Sequence, residues 1–294
     1  MKVAGLGQCS LDYLIVVDDY PREDTKKEII DWTVQGGGPV ATALVALSRL
    51  GVGTTFMGLV SDDEAGKIIE RRLANEKVDV KDILVRKGGR SQTAFITINR
   101  EGGTRTILWQ RPTVKVIRPS EVKRSLLKGA GLLLLDGLFA EASIKAAEMA
   151  KAMEIPVMID AGRMREGMEE LLRHSDYIVA SEEFGREFSD TTERTLRKLM
   201  KFQPEAATIT LGERGSMTIF RGGIFHQPAF DVDVVDTTGA GDVFHGGYIY
   251  GLLKEWEIEK TVRFASAFAG LKCRKLGGRS GIPTLQETMQ FMEE

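Results

Sequence analysis

The chain is predicted to be an α/β protein with a mostly parallel central sheet, helices on both faces and a small antiparallel β lid. Three observations carry this prediction. Short β-rich runs alternate with helical segments through most of the length, two segments break that rhythm, and no repeat, low-complexity tract or linker divides the chain. Such alternation builds parallel units, because a crossover helix returns the chain to lay the next strand alongside the last. A single domain over residues 1–294 is expected.

Residues 1–7 read as strand then turn. Pro39, after three glycines, opens a helix over 39–50 that Gly51 closes, the usual asymmetry of helix ends. Ala, Leu and Val occupy nearly every side of it, so it is buried all round. The alternation continues as strand 54–57, helix 63–75, strand 132–135, helix 142–152, strand 157–160 and helix 166–174. Strand 177–180, a helix around 193–200 and strand 207–211 follow. The rhythm breaks at 11–17 with 27–34, joined across Asp19-Tyr20-Pro21-Arg22, and at 92–99 with 104–110, a hairpin around Arg100-Glu101-Gly102-Gly103. Regions 11–35 and 91–111 therefore supply the strands of the lid; the plainer alternative is an edge extension of the main sheet without a gating role.

A content of 43% hydrophobic and 28% charged residues belongs to a chain with a sizeable core and excludes collagen, coiled coil and disorder. With 40 Lys plus Arg against 42 Asp plus Glu, no bulk positive field exists to collect nucleic acid or an anionic membrane. Asp12, Asp18 and Asp19 interrupt the first apolar stretch before it reaches signal-peptide length, and nothing approaches the ~20 apolar residues that span a bilayer. A cytoplasmic location is expected. Cys9 and Cys273 lie in no metal-ligand spacing and read as buried thiols. His174, His226 and His245 are scattered, which argues against a zinc site or a Ser-His-Asp triad and leaves proton transfer to a carboxylate.

Gly5-Leu6-Gly7 lacks the third glycine of a dinucleotide fingerprint, and Gly66-Lys67 is followed by Ile68 where a P-loop has Ser or Thr. A different phosphate device stands at Asp236-Thr237-Thr238-Gly239-Ala240-Gly241-Asp242, between the alternating residues Phe230, Val232 and Val234 and the helical run 243–253. The small residues Gly239, Ala240 and Gly241 let main-chain N–H groups at a helix N-terminus converge on an anion. Asp242, in the first helical turn, points a carboxylate at the same place, where it can take a proton from an attacking hydroxyl. The plain alternative for so short a motif is a capped turn.

Together with that heptapeptide, Gly36-Gly37-Gly38-Pro39-Val40-Ala41-Thr42-Ala43, Leu50-Gly51 and the stretch 58–66 resemble the two signatures and spacer of the ribokinase-like, or PfkB, carbohydrate kinases. The resemblance covers essentially the whole chain. His226-Gln227-Pro228-Ala229-Phe230 and the stretch running to Gly281-Ile282-Pro283 look closest to the sulfofructose-kinase branch. The resemblance implies a three-layer ribokinase-like sandwich and, with ATP and Mg2+, transfer of the γ-phosphoryl group to a hydroxyl of a ketose or related monosaccharide, sugar phosphates included. It makes Asp242 the catalytic base and the amides of Gly239, Ala240 and Gly241 the anion hole. Thr210, Gly212, Gly215 and Gly241 then lie beside the nucleotide. Asp12, Gly37, Gly38 and Thr42 face the sugar, with Lys26, Arg105 and Arg111 available to an anionic substituent. Asp236, Thr238, Gly278 and Gly281 resemble the K+ loop of some members.

Three departures stand out. Ala41 replaces the usual Asn of the first signature, and Ser181-Glu182-Glu183-Phe184 replaces the magnesium-linked N-x-x-E, leaving Glu183 to act on the metal through water. Asp136-Gly137-Leu138-Phe139 also lacks the basic residue that sulfofructose kinases carry there. A homodimer through the lid is expected, since an open lid exposes apolar surface. The rival readings are a nucleoside kinase of the same fold and a non-catalytic sugar or nucleotide sensor.

Overall fold

A computed structural model describes residues 2–101 and 104–293. The chain begins with β1 (Lys2–Leu6), β2 (Ser10–Val17) and β3 (Asp31–Gly37), then α1 (Pro39–Arg49), β4 (Gly53–Met57), β5 (Leu59–Ser61), α2 (Glu64–Asn75), β6 (Val78–Asp79) and β7 (Leu84–Arg86). Next come β8 (Thr93–Asn99), β9 (Arg105–Gln110), β10 (Ala130–Leu135), α3 (Ala140–Lys151), β11 (Val157–Ala161), α4 (Met168–Arg173), β12 (Tyr177–Ser181), α5 (Glu182–Phe188) and α6 (Thr192–Leu199). The last third holds β13 (Ala206–Thr210), β14 (Ser216–Phe220), β15 (Gly223–Gln227), α7 (Ala240–Leu253), α8 (Ile258–Lys272) and α9 (Leu285–Glu293).

Nine of these strands form the main sheet in the order β15-β14-β13-β12-β11-β10-β1-β4-β6, parallel except for the antiparallel pairings at β14 and β15. Alternate residues of each strand face opposite layers. Val3, Leu132 and Leu134 join one core with α1, α7 and α8, whereas Ala4, Leu6, Leu133 and Leu135 join another with α3, α4 and α6. Each fully buried leucine contributes roughly 1.5–3 kcal/mol. The result is helix, sheet and helix in three layers, as expected. The chain lays β4 and β6 on one side of β1, then returns to lay β10 through β13 on the other. The direction of winding therefore reverses between β1 and β10, and the crevice beyond their carboxyl ends is where ligands bind in such sheets.

The small sheet runs β3-β2-β8-β9. Its two outer pairings are antiparallel, and a parallel pairing of β2 with β8 joins them. Leu14, Ala94, Ile96 and Ile98 face inward, and by register Arg105, Ile107 and Trp109 of β9 share that inner face. On the outer face Tyr13 stacks on Phe95 at 5.1 Å, and Trp32, Phe95 and Leu108 remain 60%, 48% and 66% exposed.

One expected strand differs. Residues 27–30 are exposed and outside any strand, because the β2–β3 ladder starts at Val16 with Asp31, just past the Ile30 N–H that donates to the Val16 carbonyl at 2.9 Å; β3 instead continues into the glycines, where Ser10 pairs with Gly37. The alternation at Phe230, Val232 and Val234 is not a strand. Phe230 and Val232 lie over Gly270 of α8 and Phe230 meets Phe291 of α9 at 5.2 Å, so helix packing produced the period. Gly102 and Gly103 of the expected hairpin turn lie outside the described residues. Both cysteines are free and buried. No helix among the described residues is long and apolar enough to cross a membrane.

Candidate active site

α7 points its N-terminus at the crevice. Gly239, its N-cap, has φ +75°, and a Cβ there would meet Gly278 Cα at 2.8 Å, so only glycine allows this turn to lie against the 277–281 loop. Asp236 shapes the turn: its Oδ1 accepts from the Thr238 N–H at 2.9 Å and the Thr238 hydroxyl at 2.7 Å. Ala240 differs from expectation, because its N–H donates to the Thr237 carbonyl at 3.1 Å and closes the turn. The N–H groups of Gly239, Gly241 and Asp242 have no partner among the described residues, and the helix dipole of α7 lies behind them.

Asp242 sits among other acids. Burial in the crevice, and then the charge of Asp160, push its carboxyl up to about 7, against the opposing pull of His245 and Arg279. His245, one turn further along α7, places Nδ1 2.7 Å from the Gly241 carbonyl and Nε2 3.6 Å from Asp160 Oδ1. Asp136 stands at the end of β10, where its Oδ2 accepts from the Gln8 N–H at 2.7 Å and its Oδ1 from the Leu138 N–H at 3.0 Å. These bonds tie the ends of β1 and β10 together at the switch point. Burial raises the Asp136 carboxyl to about 7 despite them.

Asp12 reaches the same crevice from β2. Ser10 donates to its Oδ1 at 2.6 Å, and burial raises its carboxyl above the usual range, opposed by Ser10 and by Arg279. The three glycines before α1 have separate causes. A Cβ at Gly36 would strike the Arg279 guanidinium, one at Gly37 the Asp12 carboxylate, and Gly38 holds φ +94° against the Gln8 carbonyl. Thr42 is buried, and its hydroxyl oxygen accepts from Arg279 Nε at 3.3 Å. Its role is therefore to hold Arg279 rather than to face open space.

Arg279 is 6% exposed and donates also to the Gly37 carbonyl at 3.0 Å. Burial lowers its pKa to about 10, while Asp12 leads the groups that hold its charge. Sequence reasoning missed it, although a single basic residue between the glycines of Gly277-Gly278-Arg279-Ser280-Gly281 was a usable signal. Asp160 and His245 were missed as neighbours of Asp242 for a different reason, since they come from β11 and from the second turn of α7.

Beside the α7 N-terminus opens a cleft of about 810 Å³. Thr210, Gly212, Gly215 and Gly241 line it together with Ala240, and Phe244 and Val232 supply apolar wall. The volume suits a drug-sized or cofactor-sized ligand. Arg105 crosses from β9 to hydrogen-bond the Thr237 hydroxyl, so it meets the heptapeptide turn rather than the acceptor side. Lys26 is exposed, with no ion pair or hydrogen bond among the described residues. Glu183 is exposed and ion-paired to Arg163, while Glu182 accepts from Arg186 at 2.7 Å and Arg214 at 2.5 Å. No group of three His, Cys, Asp or Glu among the described residues makes a metal site.

The structure gathers Asp236, Thr238, Gly278 and Gly281 around one loop, in which each oxygen of Asp236 already accepts from a protein donor. Asp236 Oδ1 is taken by Thr238, its Oδ2 accepts the Gly277 N–H at 2.7 Å, and its carbonyl accepts the Lys272 ammonium at 2.8 Å. Gly281 packs against the Lys272 carbonyl.

A model of the pfkB family of carbohydrate kinases matches residues 2–285. An ATP-dependent ribose-1-phosphate kinase of Halopiger xanaduensis is 26% identical over 100% of this chain and 99% of its own, and fructokinase-1 of Zea mays is 28% identical over 88% of each. The ribokinase structure from Thermotoga maritima superposes with a TM-score of 0.85 at 22% identity, over 99% of both chains, a likeness of fold. The chain belongs to the pfkB family of carbohydrate kinases, phosphotransferases whose acceptor is a hydroxyl group of a sugar.

Proposed function

We propose that the protein transfers the γ-phosphoryl group of ATP to a hydroxyl of a ketose or related monosaccharide, as one kinase domain whose lid comes from residues 11–35 and 91–111. The observation that carries this is the meeting of unpartnered N–H groups at the α7 N-terminus with Asp242, between the nucleotide-sized cleft and a crevice of polar side chains. ATP enters as its Mg2+ complex, with the metal held chiefly by phosphate oxygens and water, as Mg2+ commonly is. The N–H groups of Gly239, Gly241 and Asp242 receive the oxygens of the migrating phosphoryl group. Asp242 takes the proton of the acceptor hydroxyl as its oxygen bonds to phosphorus and ADP departs. The inner face of the small sheet, bearing Ile107 and Trp109, closes over the acceptor and excludes water.

Asp12, Ser10 and Gln8 line the deep end of the crevice, which favours a polyol over the flat base of a nucleoside. Asp136 occupies that end as an acid, which disfavours a sulfonate there; an anionic substituent would instead lie toward Arg111, which follows β9 at the Leu11 end of the small sheet. The unpartnered N–H groups beside an acid tuned to about 7 favour catalysis over a sensor.

Coupled ADP detection over a panel of sugars, sugar phosphates, sulfosugars and nucleosides tests the proposal. ADP release with a ketose or related sugar supports it, and release with nucleosides alone, or with no acceptor, overturns it. With the productive sugar, Asp12→Asn is expected to raise KM by about 10- to 100-fold while kcat falls less, since the lost hydrogen bonds to a charged acceptor serve mainly to bind.

The outer face of the small sheet, with Trp32, Phe95 and Leu108 exposed, is the surface on which we place a homodimer contact. Sedimentation should show a dimer for the native chain and a monomer for Leu108→Glu.

A further inference from the structure

Lys272 is the last residue of α8 and is 0% exposed. Buried ammonium groups are costly unless a charge or hydrogen bond compensates them. Here the ammonium donates to the main-chain carbonyl of Asp236, the first residue of the heptapeptide turn, at 2.8 Å. Burial lowers its pKa below the usual lysine value, Asp236 leads the groups that favour its charge, with Asp242 also attracting it, and Arg105 repels it. The carbonyl it holds begins the same loop whose later N–H groups point into the crevice. Asp236 thus binds the loop in three directions: Oδ1 to Thr238, Oδ2 to Gly277, and its carbonyl to Lys272.

Every oxygen that Asp236 could offer a monovalent metal ion thus already accepts from a protein donor, and a positively charged side chain stands beside them. We propose that Lys272 is a tethered cation that does the work of a monovalent metal ion, so that the phosphoryl-binding turn is ordered and positively biased without K+. Lys272 touches neither substrate in this arrangement; it is a positioning residue, and it acts through Asp236. A covalently attached charge needs no ion concentration to be present, so the turn is pre-organised in the unliganded chain.

The inference rests on the kinase reading, and the test separates the two. The panel above first establishes whether any acceptor is phosphorylated; the cation experiments then use that acceptor, and thermal unfolding with and without Mg-ATP reads the same question without turnover. With K+, Na+ or N-methyl-D-glucamine as sole monovalent cation, native kcat and the Mg-ATP-induced rise in Tm are expected to agree, kcat within about twofold. A fall in kcat of about tenfold or more when K+ is withdrawn, or a thermal shift that requires K+, overturns the inference and leaves the kinase assignment standing.

Lys272→Met keeps much of the side-chain volume and removes the charge; kcat should fall by about 10²-fold, the scale for losing a pre-organised electrostatic contribution. Lys272→Ala opens space beside Asp236, and in that variant K+ or methylammonium should restore part of the rate, an effect that a purely structural lysine would not show. A Lys272→Met variant as active as the native chain, or a folded Lys272→Ala variant indifferent to every added cation, also overturns it. If neither variant folds, the native cation series decides.

Discussion

Asp242→Asn is expected to lower turnover by about 10²- to 10⁴-fold, the range attributed to a positioned general base, while Mg-ATP binding stays measurable by calorimetry. Asn keeps the shape and the N–H groups of the α7 turn, so loss of nucleotide binding is not expected to accompany the loss of rate. Unchanged turnover would remove Asp242 from the base role. The pH dependence follows from the same carboxyl, which ionises at about 7 in the folded chain against 3.8 for an ordinary aspartate. A base must be deprotonated to act, so kcat/KM should rise with pH and level off above about 7. Stability moves oppositely. The folded carboxyl binds its proton more tightly than the unfolded one, so this group favours folding less and less as pH climbs from 3.8 to about 7, and its effect is constant beyond. Asp242→Asn should therefore melt a few degrees above the native protein at pH 8, and the gap should close toward pH 4.

Arg279→Met has the second large effect. Its guanidinium donates to Thr42 and to the Gly37 carbonyl and lies within Coulombic reach of Asp12 and Asp242, so replacing it strands buried acceptors and an acid. Removing one member of a buried charge arrangement costs roughly 3–5 kcal/mol, and urea unfolding should read a loss of that order. The acceptor KM should rise as well, because Asp12 loses the cation that favours its ionised form. Arg279→Lys should recover little of either, since a single ammonium on a shorter, flexible side chain cannot donate along both directions of the planar fork. A variant as stable as the native chain with an unchanged KM would show that the guanidinium is dispensable.

Much of this molecule was readable from its residues in order. The β/α alternation, the Pro-opened helix at Pro39 and the glycine turn into α7 depend on neighbours within a few positions, and they lie where the pattern put them. The cleft beside α7 has equally local walls, because Thr210 ends a strand of the main sheet, Gly212 and Gly215 form the turn after it, and Gly241 stands in the first turn of the neighbouring helix. The 27–30 end of the expected strand at 27–34 failed because the β2–β3 ladder stops at Val16 and Asp31, a limit that the composition of those residues does not show.

The electrostatics of the site were a different matter. Thr42 and Arg279 are separated by 237 positions, and Gln8 and Asp136 by 128, so no window of sequence shows Thr42 turned to the guanidinium or Asp136 closing the switch point. Lys272 reads as one more charge at a helix end until α8 brings its ammonium under the carbonyl of Asp236. Backbone preference and side-chain periodicity are properties of short stretches, and they settled the class of fold, while two short motifs carried the resemblance to the family. Which charges face one another, and hence how that acid is tuned and what steadies the turn beside it, depended on the order in which the strands pair and on the depth at which packing removes water.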